Sequence, residues 1–524
     1  MSTTRAVWIF LLVLTSIRLL LLNATQLSPD EAYYWMWSQR PALAYFSKGP
    51  GVAFVIRSST AIFGDTEFGV RFWSPIFAAG TSLLLYYLAQ RLFSSLAGFW
   101  TVIVLNVTPI FNLGSIIMTI DPLSIFCWVA AFYTFWLALE RSPAFSWWWP
   151  LTGLFIGLGF LCKYTNALEL VSIVIVLALV ARLRREFFRP NLYLLLLVFA
   201  ICTIPPIVWN SQRAWITLAH LKSRGSLDEA WGVHPLELLG FLGEHFGTYS
   251  PLLFFGLAWA TIAGWKRAQQ NFKVFYLLWF GLPVFIFYSL LSINKAAAPN
   301  WDGLAFLSLA ILAVSYWRER SASHGAARHW TNAAVLLGLC MTALLIALMT
   351  NNTGIDRRGR DPTDRMRGWR SFADAVEKVR NDFERRTGQK VFLIADERDR
   401  AAELAFYLSD KRVEGPDHPP VYIPESQDMV NQFSFWPRYD EFEPLPPGEQ
   451  RQANEIYTEE SGRNLFTGRT ALYLQLGKRT NLPRPIRGGF ERTQPIAMIE
   501  VRAGQRLLRE VQVFACYDYR TMPL

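Results

Sequence analysis

The long apolar runs of this chain restrict its fold more than any other feature. They cover residues 5–23, 68–90, 97–114, 122–139, 147–161, 166–182, 191–209, 249–265, 274–293, 303–317 and 333–350. A helix needs about 20 mostly apolar residues, sometimes about 17, to cross a bilayer. Only helices and closed barrels satisfy their own backbone there. The runs therefore predict an α-helical polytopic membrane protein with about 11 transmembrane helices. Composition agrees: the chain is 52% hydrophobic and only 18% charged, where about 25% charged is usual for soluble domains. The first run has no clear small-x-small cleavage site and many spans follow it, so it reads as a retained helix. The piece "VAFVIRSSTAIF" after Gly51 is shorter and carries Arg57. It reads as a helix lying in the interface.

Charge orients the spans. With the N-terminus in the cytoplasm, the inner loops hold Arg91, Arg141, "RLRREFFR" from Arg182 to Arg189, Lys266, Arg267, Arg318, Arg320 and Arg328. The outer loops hold fewer cations, notably Lys48, Lys163, Lys222, Arg224 and Lys295. This is the positive-inside bias. It accounts for the net charge of +10 without nucleic acid as a partner. The 21 tryptophans suit anchoring at the membrane interface. The five cysteines mostly sit in apolar runs, with neither disulfide-framework nor metal-like spacing.

After Thr350 the character changes. The runs "KVFLIA", "PVYI", "ALYLQL" and "VQVFACY" read as strands, and "SFADAVEKVRNDF" and "DRAAELAFYL" as helices. The expected organisation is a transmembrane domain over 1–350 and a C-terminal extracytoplasmic α/β domain over 351–524. Within the first domain, 27–65 forms an outer loop with interfacial helices, and 210–248 forms a long outer loop.

The first outer loop reads "LSPDEAYYWMWSQRPALAYFSKGP" from Leu27 to Pro50. Its start has a plain structural reading. Ser28 caps a helix, Pro29 suits the first turn, Glu31 closes a capping box, and Asp30 favours the positive end of the dipole. The other outer segments add to the pattern. "MTIDPL" places Asp121 before a span, "LCKYT" places Lys163 after one, and "AHLKSRG" carries His220 and Arg224. His234, Glu237, Glu244 and His245 follow, and "NKAAAPNWDG" adds Lys295, Asn300 and Asp302. Each alone reads as a solvated or capping residue. Gathered on one side of a membrane, they suggest a site. Carboxylates act as bases or bind hydroxyls, and lysine and arginine stabilise phosphate. A lipid-linked sugar phosphate would meet all of them.

The order of these motifs resembles the GT-C glycosyltransferases that use polyprenyl-phosphate sugars, including protein O-mannosyltransferases and the aminoarabinose and galacturonic acid transferases of lipid A and core. The motifs are the acidic pair Asp30-Glu31, the "YFSKGP" element, Asp121-Pro122, "GFLCKYT" and "HLKSR". The resemblance covers about residues 5–320. It implies a GT-C-like fold and an inverting transfer from a polyprenyl phosphate to a lipid, glycan or protein acceptor outside the cytoplasm. The implied location is the bacterial inner membrane, among membrane lipids. By the same resemblance, Asp30 is the catalytic carboxylate and Asp121 a second acidic site residue. Lys48 and Arg224 hold the donor phosphate, and Glu31, Tyr45, Lys163 and His220 contact substrate. Some relatives carry a glutamate directly before the phosphate lysine, where it helps bind metal. Here that residue is Ser47, so no obligatory metal or cofactor is expected. No Gly-rich nucleotide loop is evident either.

Two other classes compete. A secondary transporter would concentrate ionisable groups and broken helices near the bilayer midplane. A membrane-anchored assembly protein would leave the loop motifs unexplained. The charge bias predicts that reporter fusions at Arg189 and Asn352 will report opposite sides of the membrane. Both on one side would remove the shared face on which the motifs depend.

Overall fold

The computed structural model describes residues 2–294, 297–350, 362–441, 457–458, 462–478 and 481–520. Lys295 and the junction at 351 lie outside the described residues. The chain divides into two compact units, Met1–Ala24 with Pro41–Gly354, and Thr25–Arg40 with Ile355–Leu524.

The first unit is helical. Every apolar run of the sequence is helical, from Thr3–Leu21 to Gly325–Met349. Among the described residues, six helices are long and apolar enough to cross a membrane, or up to eight if each bent pair is one span. The expected number was about 11. Breaks and short helices account for part of the difference. The run 97–114 splits into Ser95–Asn106 and Pro109–Gly114, because proline cannot continue the preceding helix. Pro235–Tyr249 and Pro251–Ala268 are bent by 116° at Ser250, whose φ is 77°. Tyr164–Leu179 and Ala181–Phe188 are bent by 117°. Gly51–Phe63 and Trp148–Phe160 are apolar but shorter.

The core of this unit centres on Asp121–Arg141, whose Trp128, Phe132 and Phe135 are fully buried. Phe132 stacks on Tyr276, with centroids 5.1 Å apart. The outermost helices expose leucine and isoleucine, such as Leu12, Leu20, Leu197 and Ile201. In water such surfaces would be costly, and in lipid they are the expected covering. Arg18, inside the first helix, is buried at 2% exposure. Its Nη2 donates to Asn106 Oδ1 at 2.9 Å and Asn112 Oδ1 at 2.6 Å. It thereby spans the break between the two helices that carry those asparagines.

The second unit contains a four-stranded sheet. Its order is Phe392–Ala395, Ala471–Leu476, Arg506–Tyr519, Phe490–Ala503. The first two strands are parallel, and the other pairings are antiparallel. Helices Trp369–Thr387 and Arg398–Tyr407 flank the first strand in sequence. The run "PVYI" gives only an isolated bridge, Ile394 to Tyr422. Phe490–Ala503 takes the fourth place in the sheet. It carries Pro495 at a register shift, which an edge strand tolerates and a central strand does not. This unit also takes in helix Pro29–Gln39, which sequence assigned to a loop of the membrane part. Leu27 N donates to Tyr407 Oη at 2.8 Å, and Gln432 N donates to Tyr33 Oη at 2.6 Å.

Candidate active site

The site in the helical unit starts at a corner. Helix Trp148–Phe160 ends as Lys163 N donates to Gly159 O at 2.8 Å. Just beyond, Asn166 Nδ2 donates to Ser124 O at 3.0 Å, and Ser124 Oγ donates back to Asn166 Oδ1 at 2.6 Å. These bonds fasten the corner to the start of helix Asp121–Arg141. The fastening brings Lys163 Nζ to 2.9 Å from Asp121 Oδ1. Asp121 lies in the first turn of its helix, where the dipole favours a carboxylate. Burial works against the Lys163 charge, but Asp121, Tyr288 and Asp302 together outweigh it and raise the lysine pKa. Lys163 is therefore an ammonium. Asn300 completes the group: its carbonyl accepts from Lys163 at 3.3 Å, and its amide lies 3.4 Å from Asp121 Oδ2.

Lys48 lies on a tight turn beside this corner. Tyr45 N donates to Lys48 O at 2.9 Å, and Lys48 N returns to Tyr45 O at 3.3 Å. Two glycines allow the backbone to press against the corner. A Cβ on Gly49 would lie 2.3 Å from Leu161 O, and one on Gly51 would lie 2.3 Å from Cys162 Sγ. Gly51 N donates to Leu161 O at 2.9 Å. The glycines of "KGPG" thus have a packing reason.

Arg224 ends helix Ile216–Arg224 and lies over the Trp301 ring at 5.2 Å, within cation–π reach. Trp301 also meets Tyr288, with centroids 5.9 Å apart. His220, on the same helix as Arg224, packs against Phe46 of the Lys48 turn at 4.6 Å. The contacts form a closed circuit of four segments. The Lys48 turn meets the Lys163 corner, which meets the Asn300–Trp301 loop. That loop meets the Arg224 helix, which returns through His220 to the turn. The circuit brings Lys48, Asp121, Lys163, His220 and Arg224 together. Lysine and arginine on segments linked in this way are suited to an anion, since charge-assisted bonds from both suit phosphate.

Three sequence assignments read differently in the structure. Tyr45 is fully buried and its hydroxyl accepts from Ala42 N at 3.3 Å, so it shapes the turn. His220 uses a ring face for packing against Phe46. Glu31, fully buried, closes the capping box of helix Pro29–Gln39, with Ser28 N donating to its Oε2 at 2.9 Å. Asp30 belongs to the second unit. Its carboxylate is half-exposed, 3.7 Å from Arg398 Nη2, and Arg398 lies over Tyr33 at 4.9 Å. The roles of Trp301, Tyr288 and the glycines were missed; the signal was two glycines flanking Pro50 beside a lysine. Among the described residues, no group of three or more His, Cys, Asp or Glu is placed to hold a metal.

A family model described as dolichyl-phosphate-mannose-protein mannosyltransferase matches residues 47–209, which include Lys48, Asp121 and Lys163. The crystal structure of ArnT from Cupriavidus metallidurans in the apo state superposes with a TM-score of 0.61 and covers 98% of each chain. The chain shares its fold with this ArnT. At 15% identity, the ArnT match speaks for the fold alone. A second ArnT structure, bound to undecaprenyl phosphate, matches equally, with a TM-score of 0.61. The lipid A galacturonosyltransferase RgtD of Rhizobium johnstonii is 29% identical over 57% of this chain and 62% of its own length. The undecaprenyl phosphate-alpha-4-amino-4-deoxy-L-arabinose arabinosyl transferase of Edwardsiella ictaluri is 27% identical over 61% of each. The chain thus matches less than two thirds of the length of these relatives.

The turn-to-corner packing makes a prediction. Gly49→Ala drives a methyl into the Leu161 backbone and is expected to cost about 1–3 kcal/mol, the usual range for overpacking. Gly114→Ala, where nothing lies within 4 Å, is the control. Thermal unfolding in detergent checks both. Equal midpoints would show that the turn is not seated on the corner.

Proposed function

We propose that this protein is an integral-membrane, inverting glycosyltransferase. It moves a sugar from a polyprenyl phosphate of the undecaprenyl type to an extracytoplasmic acceptor, with lipid A or core favoured over another envelope glycan or a protein hydroxyl. The closed circuit that gathers Lys48, Arg224, Lys163 and Asp121 carries this reading. The names of the RgtD and aminoarabinose transferase relatives support the donor and acceptor classes. In the proposed arrangement about 11 helices span the membrane, the N-terminus is cytoplasmic, and the C-terminal α/β domain is periplasmic.

The chemistry is one displacement. The acceptor oxygen attacks the anomeric carbon as the bond from that carbon to the phosphate oxygen breaks. The electron pair leaves with the phosphate, and the developing charge is stabilised by Lys48 and Arg224. Configuration inverts because no carboxylate is assigned as a covalent nucleophile. Asp121 holds Lys163 charged and oriented, and Lys163 adds to the positive field. By the family resemblance, Asp30 takes the acceptor proton. No obligatory metal is proposed, since Ser47 stands where relatives carry a glutamate.

Two substitutions test these roles. Asp30→Asn keeps the side-chain shape and removes the base, so transfer is expected to fall about 10²–10⁴-fold in a folded protein. Lys48→Ala is expected to weaken donor use strongly, with Lys48→Arg retaining part because charge survives. Transfer of label from a radiolabelled undecaprenyl-phosphate sugar to lipid A measures both, in the presence and absence of chelator. Near-normal turnover by Asp30→Asn would leave that residue a helix-start residue. Loss of wild-type activity in chelator, with recovery on adding zinc or magnesium, would overturn the metal-free mechanism.

A further inference from the structure

His245 and Asp302 have no part in the chemistry above, yet they form a fully buried polar pair in the helical unit, each 0% exposed. His245 lies on helix Pro235–Tyr249, and Asp302 immediately precedes helix Gly303–Ser323. The imidazole Nδ1 is 2.6 Å from Phe241 O. Its Nε2 is 3.0 Å and 3.2 Å from the two carboxylate oxygens of Asp302. A carbonyl oxygen can only accept, so Nδ1 carries a proton. The contact between Nε2 and the carboxyl then holds one further proton, whichever partner owns it. Either state, imidazolium with carboxylate or imidazole with carboxylic acid, has no net charge.

The surroundings favour such a pair. Tyr249, Phe254 and Phe306 stack against the imidazole at 5.2–5.5 Å. Burial raises the Asp302 pKa, while His245 and Lys163 act to lower it. An unpaired charge there would be costly, and a neutral hydrogen-bonded pair is not. Either partner leaving would orphan the other, so the pair fixes one geometry.

The residues just before Asp302 are the ones that close the circuit. Trp301 N donates to Ala298 O at 2.9 Å, forming a tight turn. Asn300 touches Lys163 and Asp121, and Trp301 lies under Arg224. We infer that the His245–Asp302 pair is a positioning device, which anchors the end of this loop so that Asn300 and Trp301 hold Lys163, Asp121 and Arg224 in register. The inference rests on the transferase reading for its kinetic readout.

The test uses full-length protein in vesicles, with undecaprenyl-phosphate sugar as donor and lipid A as acceptor. Asp302→Asn can still donate an amide hydrogen to Nε2 of a neutral imidazole, and is expected to keep kcat/KM within about threefold. His245→Phe with Asp302→Leu removes both polar groups. It is expected to keep the wild-type unfolding midpoint but to lose about tenfold or more in kcat/KM, mainly as a raised donor KM. In a Trp301→Ala background the same double substitution should cost much less, because the loop's contact with Arg224 is already gone. Hydrogen exchange across 297–302 should quicken in the double variant and not in Asp302→Asn. If the double variant does not fold, His245→Gln replaces it in the same cycle. Wild-type kinetics in a stable double variant, or losses that simply add to those of Trp301→Ala, would make the pair only structural. If wild-type protein transfers no sugar, the transferase reading falls, and the exchange measurement still decides the anchor.

Discussion

Lys163 is an ammonium held where burial disfavours charge, and the candidate site depends on the carboxylate that keeps it there. Its side chain is 9% exposed and its Nζ lies 2.9 Å from Asp121 Oδ1. Removing one member of a buried pair commonly costs about 3–5 kcal/mol, because the other is left uncompensated. That cost forces the start of helix Asp121–Arg141 and the corner after helix Trp148–Phe160 to remain together. The Ser124–Asn166 bonds, one helical turn along, repeat the fastening with neutral groups. The other segments then have a rigid corner to pack on. Gly49 and Gly51 let the Lys48 turn approach its backbone, and Asn300 reaches it from 137 positions further along the chain.

This construction suits chemistry in which charge shifts onto a phosphate. Cations fixed before the reaction need not reorganise as charge develops. Seating Arg224 on Trp301 removes much of the freedom of a long side chain without neutralising it. Asp121 is engaged with Lys163 and Asn300, so its charge is spent on the corner and offsets that of Lys163.

Sequence revealed the parts that depend on local pattern. The apolar runs became helices, "SPDE" became a capped helix start, and three of the four strand runs entered the sheet. It was less informative where distant segments compete. Glu31 reads both as a cap and as a substrate contact, and in the structure it is buried and closes the capping box. The strand Phe490–Ala503 was hidden by its proline and its charges, which belong to an edge. The helix carrying Asp30 looked like a membrane loop, but its Tyr33 pairs with Gln432 in the second unit. His245 and Asp302 were visible as polar residues, but 57 positions separate them. No spacing rule connects residues so far apart.

Binding of the spent donor tests the central claim most directly, because it asks whether the cation circuit holds a lipid phosphate at all. Native mass spectrometry of the purified protein with undecaprenyl phosphate gives the bound fraction without any acceptor or assay of transfer. The account predicts a saturable one-to-one complex with the wild-type protein, nearly absent from the combined Lys48→Ala, Arg224→Ala variant at unchanged unfolding midpoint. Equal occupancy in the two proteins would contradict it.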